Sequence, residues 1–273
     1  MKQFHFSVGL PRSGSTLLTT LLNQNPNIHS SYGSEIPQMF SALDELFPKF
    51  PTVVAKQSLE SYDAILKNLY LNFFNSVQEN IIVDKLNRRL DPIKTLSCIK
   101  IANPNYKVIV TIRPILEVLA SFLSLCRKSP DINFFDKSMK ENNFLPLQYR
   151  NIDDARCDYL MSEEGPILES IFWLAHAKQN PNNFMFVKYS DLINFTQTTM
   201  EKIYDFIGAP SCVHNLKEIK TLNLSQTDFE IYGIPTLHEV RSSISQSTTD
   251  TNILSNYAKN KYGETLDFLN LFA

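Results

Sequence analysis

One stretch near the start of the chain has the residue types and spacing to hold an anion. Gly9-Leu-Pro-Arg-Ser-Gly-Ser-Thr16 reads GxxxxGx[ST]. Successive backbone N–H groups in such a turn, followed by a helix N-terminus, form a cradle for a phosphate or sulfate. A loop of this spacing that cleaves ATP carries lysine before its last Ser/Thr, to reach the β- and γ-phosphates. Here that place is Ser15, and a basic group stands inside the loop instead, as Arg12. The chemistry suggested is anion binding without triphosphate hydrolysis. Two more segments put basic side chains after apolar runs: Asp84-Lys85 follows Ile81-Ile82-Val83, and Arg113 follows Tyr106-Lys-Val-Ile-Val-Thr-Ile112.

These groups need elements to position them. Phe4, Phe6 and Val8 alternate as in a strand closed by Gly9. Leu17, Leu18, Leu21 and Leu22 then recur at helical spacing until Asn25-Pro26-Asn27 stops the helix. Helices are expected at 36–47, at 59–78 (rich in aromatics), and near 92–102. Strands are expected at 81–83 and 106–112. Pro114 suits the first turn of a helix striped by Ile115, Val118, Leu119, Phe122 and Cys126. Residues 129–158, with Pro130, Pro146 and repeated Asn and Asp, read as a loop-rich insertion. A helix at 164–179, a strand at 184–188 and a helix near 197–207 ended by Gly208 follow. The stretch 221–250 reads as polar and irregular, and a final helix carries Leu266, Phe268, Leu269 and Leu271. Strands separated by helices imply parallel βαβ units and an α/β fold, its central sheet covered on both faces, in a single domain spanning 1–273. In such sheets ligands sit beyond the strands' C-terminal ends. The Gly9 loop, Asp84-Lys85 and Arg113 all fall there.

Composition narrows the function. The 273 residues are 43% hydrophobic and 11% aromatic, enough for a full core. Lysine and arginine number 26 against 28 acidic residues, a formal charge of −2, so no strong field points to nucleic acid or an anionic membrane. Cys98, Cys126, Cys157 and Cys212 form no CxxC pair and have no histidine at zinc-like spacing, so neither a disulfide framework nor a metal site is expected. No stretch is long and apolar enough to span a bilayer, and the residues before Gly9 are too few for a signal h-region. The chain is therefore read as complete and cytoplasmic.

Pro11-Arg-Ser-Gly-Ser-Thr-Leu17 resembles the 5′-phosphosulfate loop of the sulfotransferases that use 3′-phosphoadenosine 5′-phosphosulfate (PAPS), nearest the tyrosylprotein sulfotransferases and their bacterial relatives. The cytosolic branch usually has lysine in place of Arg12. The run from Val108 to Phe122 is similar to the family's 3′-phosphate motif, with Arg113 and Ser121 in the binding positions, although the usual aspartate after the arginine is absent and Pro114 follows directly. Asp84-Lys85 resembles the family's DKxP step without its proline, and Phe186-Val-Lys-Tyr-Ser-Asp-Leu192 its VxYEDL segment. The resemblance implies a P-loop-like three-layer fold. It implies nucleotide contacts from Pro11, Arg12, Ser13, Gly14, Ser15, Thr16, Arg113, Ser121 and Tyr189, and from a looser C-terminal match at Arg241, Ser242 and Ser243.

The implied reaction is in-line sulfuryl transfer from PAPS to a hydroxyl or amine, leaving 3′-phosphoadenosine 5′-phosphate (PAP), with no metal. Arg12 and Lys85 would offset charge on the sulfuryl group and the leaving 5′-phosphate. Glu35 is the first candidate for the base, since Tyr32-Gly-Ser-Glu35 resembles a GEE motif of the tyrosylprotein branch, and His29 is the second. The acceptor could be a small molecule, a glycan or a peptide, with helix 59–78 and the 129–158 insertion as its expected walls. Two alternatives stand beside this: a P-loop nucleotide kinase-like phosphotransferase, with Asp84 in the place of a magnesium aspartate, and a non-catalytic nucleotide-binding protein.

Overall fold

The structure, a computed structural model, describes residues 2–46, 49, 59–86, 91–142, 144, 151–219, 225–240, 242–244 and 249–265. Arg241 and the expected last helix at 266–271 lie outside these.

Five parallel strands form one sheet: β1 (Gln3–Gly9), β2 (Ile28–Ser30), β3 (Ile81–Lys85), β4 (Val108–Ile112) and β5 (Phe184–Lys188), in the order β2-β3-β1-β4-β5. The three middle strands are buried along almost their whole length, as strands covered on both faces must be. Alternation sorts their side chains. Phe4, Phe6, Val8, Ile82, Val108, Val110 and Ile112 join one core, while Ile81, Val83 and Ile109 join the other. The first core is closed by helices that include α3 (Leu59–Phe73), α5 (Ile115–Cys126) and α8 (Leu168–Gln179), which contribute Tyr70, Leu119 and Trp173. The second is closed by α1 (Ser15–Leu22) and α10 (Thr196–Ile207), through Leu18, Leu21, Met200 and Ile203.

The expected α/β sheet is therefore present, with differences in detail. The helix expected at 36–47 is α2 (Ile36–Leu46), and α4 (Pro92–Ala102) starts at Pro92 under an Asp91 cap that accepts from the Lys94 N–H at 2.9 Å. Pro114 is the residue before α5 rather than its first turn. The segment 129–158 is not simply loop-rich: it carries α6 (Phe134–Glu141) and α7 (Ile152–Leu160), capped by Asn133 and Asn151, each accepting from an N–H three residues on at 2.9 Å. The irregular stretch expected at 221–250 contains α11 (Ser225–Tyr232). Strand β2, helix α9 (Tyr189–Asn194) and helix α12 (Asn256–Tyr262) are additions to the expected elements.

Candidate active site

Strand β1 lies between β3 and β4, with Ser7 opposite Lys85 and Gly9 opposite Thr111. The C-terminal ends of the three strands thus meet at one edge. Gly9 must be glycine: a Cβ there would lie 2.3 Å from the Thr111 carbonyl oxygen. Arg12 (φ 59) and Gly14 (φ 89) both take left-handed conformations, which fold the loop tightly into the start of α1. Ser13 is fully buried behind the loop. Its Oγ donates to the Leu10 carbonyl at 2.5 Å and meets Thr111 Oγ1 at 2.7 Å, so its side chain braces the loop against β4.

A cavity of about 340 Å³ opens over this edge. Pro11, Arg12, Gly14, Ser15 and Thr16 line it, together with Lys85, Arg113, Ser121 and Tyr189. That volume is at the small end of the range for ligand sites, roughly 300–1,000 Å³. Arg113 is 5% exposed. Its Nε donates to Glu117 at 2.9 Å, its Nη1 to the Arg12 carbonyl at 2.9 Å, and its Nη2 to Thr249, while the guanidinium carbon sits 4.2 Å over the Tyr189 ring. Arg12 donates from Nε to Ser121 Oγ at 3.2 Å and from Nη1 to the Leu237 carbonyl. Burial, and then the like charge of Arg113, lower the Arg12 pKa to about 10, leaving it cationic at neutral pH. A buried guanidinium (Arg113), a half-buried one (Arg12) and the Lys85 ammonium on one cavity concentrate positive charge where an anion would be favoured.

Several expected residues are not among those that line the cavity. Glu35 is exposed at φ 56, its carbonyl accepts from the N–H groups of Gln38 and Met39, and it does not line the cavity. His29 sits in β2 with its ring edge-on to Phe74, 6.0 Å between centroids. Ser242 is exposed and its carbonyl accepts from the Ile219 N–H at 2.7 Å; its neighbours Ser243 and Ile244 reach the cavity wall. Asp84 is wholly buried beneath the site, where Ser31 Oγ, the Ser34 N–H (3.0 Å) and Ser34 Oγ (2.5 Å) donate to it. Burial pushes its pKa up to about 6 against those bonds. A carboxylate so enclosed is not placed to hold magnesium in the cavity.

The far wall is apolar. Phe134 and Phe135 of α6, Phe122 of α5 and Tyr232 of α11 form it, so the 129–158 segment does contribute, whereas no described side chain of α3 does. Sequence reasoning missed His238, whose Nδ1 lies 2.6 Å from Asp228 Oδ1, on the same cavity wall.

The sulfotransferase family model matches residues 6–212, and the chain belongs to the sulfotransferase family. Its reaction is sulfuryl transfer from PAPS. No curated protein matches the chain. Solved structures of the same fold include the sulfotransferase domain from the curacin biosynthetic pathway (16% identity, TM-score 0.52, covering 100% of this chain and 93% of that one). The sulfotransferase domain of the Synechococcus PCC 7002 olefin synthase aligns at 16% identity and TM-score 0.51, covering 97% and 95%. Mouse sulfotransferase SULT7A1, complexed with PAP, aligns at 13% identity and TM-score 0.52, covering 98% and 85%. The kinase-like alternative is not favoured by these likenesses. Among the described residues no cluster of His, Cys, Asp and Glu could hold a metal ion, and no helix is long and apolar enough to cross a membrane.

Proposed function

We propose that the cavity is the PAPS site and that loop 11–16 holds the 5′-phosphosulfate while Arg113 and Ser121 hold the 3′-phosphate. The observation that carries this is the meeting of Arg12, Lys85 and Arg113 on one cavity at the C-terminal edge of the sheet. The loop N–H groups and the first turn of α1 add partial positive charge at the same place. When bound, PAPS supplies the sulfuryl group and a 5′-phosphate leaving group.

Arg12 spans the two halves of the site, because its Nε–H already meets Ser121 Oγ. Arg12 and Lys85 offset the charge that develops on the sulfuryl oxygens and the bridging oxygen. Tyr189 supports Arg113 from below and offers the adenine a flat neighbour. The acceptor enters along the wall of Phe122, Phe134, Phe135 and Tyr232, which suits a hydroxyl on an apolar or aromatic small molecule. A cytoplasmic setting accords with four free cysteines, three of them buried.

Calorimetric titration with PAP in EDTA, beside ATP with magnesium, tests the reading. Metal-free PAP binding that Arg113→Ala abolishes supports it; ATP binding without PAP binding overturns it.

A further inference from the structure

The cavity wall holds a histidine that the family match does not reach, since that match ends at residue 212. His238 faces the cavity with its side chain 34% exposed, whereas the Asp228 carboxylate beside it is 4% exposed. Asp228 sits in α11, and Gly233 (φ 65) turns the chain back sharply after that helix, where a Cβ would lie 2.3 Å from the Ile132 carbonyl oxygen. The turn brings residue 238 over residue 228. Asp228 then accepts twice from one residue: from the His238 backbone N–H at 2.8 Å and at the ring Nδ1 at 2.6 Å. Tyr232 packs edge-on against the imidazole, 5.7 Å between centroids.

This arrangement sets the tautomer. A carboxylate only accepts, so Nδ1 carries the proton and Nε2 keeps a free lone pair. The base position is also tied to the anion site, because Arg12 donates to the carbonyl of Leu237, the residue before His238. Burial lowers the His238 pKa. The Asp228 bond and charge oppose that, and Lys85 and Arg12 add to it, so the net shift is downward and the ring is neutral at neutral pH.

Resting on the PAPS reading, we infer that His238, oriented by Asp228, is the general base for sulfuryl transfer, the role that sequence reasoning gave to Glu35. As the acceptor oxygen bonds to sulfur, the bond from sulfur to the 5′-phosphate oxygen breaks and its electron pair leaves with PAP. The acceptor proton passes to Nε2, and the buried Asp228 carboxylate balances the imidazolium. His238 is the catalytic residue and Asp228 a positioning residue.

The test compares the wild-type chain with His238→Gln, Asp228→Asn and Glu35→Gln. PAP affinity is measured by calorimetry, and label release from radiolabelled PAPS with 2-naphthol, 2-phenylethanol or water as acceptor. The ring nitrogens are read by NMR in the PAP complex. His238→Gln is expected to bind PAP normally and to transfer label at least about 100-fold more slowly. The nitrogen resonances lost in that variant should show a protonated Nδ1 and a bare Nε2 in the wild type, and Asp228→Asn should lose that preference. A protonated Nε2 in the wild type overturns the inference, as does His238→Gln turnover within about threefold of wild type. Turnover lost in Glu35→Gln but kept in His238→Gln returns the role to Glu35. Should none of the three acceptors take label, the ring spectrum alone decides. Absence of PAP binding by the wild type overturns the PAPS reading itself.

Discussion

Arg113 donates from Nη1 to the backbone carbonyl of Arg12 at 2.9 Å, so the guanidinium that faces the cavity also clamps the anion loop to the end of β4. Its other nitrogens reach Glu117 and Thr249, and its flat face rests on Tyr189. An ammonium reproduces the charge but neither the three directions nor the stacking. Arg113→Lys is therefore expected to weaken PAP binding about tenfold or more, a loss of at least about 1.4 kcal/mol, by calorimetry. Affinity within a factor of two of wild type would show that charge alone suffices.

Gly14 is the second point where backbone and site coincide. A Cβ at φ 89 would be strained and would lie 2.7 Å from Tyr189 Cδ2, displacing the ring that supports Arg113. Gly14→Ala should lose about 1–2 kcal/mol of stability from the left-handed backbone, seen as a lower Tm. It should also bind PAP more weakly than that loss explains. An unchanged Tm would contradict the loop geometry.

On the proposed reading, Lys85 bears on turnover more than on nucleotide binding. It ends β3 on the cavity wall across from the loop. Lys85→Met should keep most PAP affinity and reduce label transfer about 100-fold or more, in the range for losing one transition-state donor. Equal losses in binding and turnover would place Lys85 on the nucleotide rather than on the transferring group.

Asp84 and His5 give the apo protein opposing pH dependences. Burial raises the Asp84 pKa from 3.8 to about 6, whereas burial, then Lys107, lowers that of His5 from 6.5 to about 4. Between about pH 4 and 6 the folded state holds more protons than the unfolded at Asp84, so its contribution to stability falls as pH rises. At His5 the unfolded state holds more protons, so stability rises with pH over nearly the same window. Each effect is worth about 3 kcal/mol, and the two largely cancel. Asp84→Asn should expose the histidine effect, with chemical denaturation showing stability lost from pH 6.5 down to 4. His5→Gln should show the reverse slope. Parallel profiles for the two variants would contradict the assignment.

The site was most legible where it is local. The GxxxxGx[ST] loop, Lys85 and Arg113 each follow an apolar run directly, so strand ends could be read from the same residues that carry the charge. The helices at 134–141 and 152–160 were hidden because Asn133 and Asn151 look like turn residues, although both are N-caps. The signal was there as Asn-x-x-Asp in both Asn133–Asp136 and Asn151–Asp154. His238 was harder to find. Its pairing with Asp228 depends on a glycine turn within a polar stretch that has no clear periodicity, and its reach to the cavity depends on contacts across the whole fold. Glu35 was placed by motif likeness alone, and nothing local could have shown that it is exposed and not among the residues that line the cavity.

Arg12 bonds to the carbonyl of residue 237, and Arg113 to the side chain of residue 249. The site therefore joins segments 225 and 136 residues apart in the sequence. A ribosome-bound chain that ends before residue 237 can form the sheet's strands, all of which end by Lys188, but not the closed site. Contacts of this sequence separation are slow to form, because a long loop must close before they are made. Completion of the site thus waits on residues 237 and 249, and a nucleotide that binds only the finished site would act as a late ligand in folding, holding these residues against Arg12 and Arg113 once both segments exist.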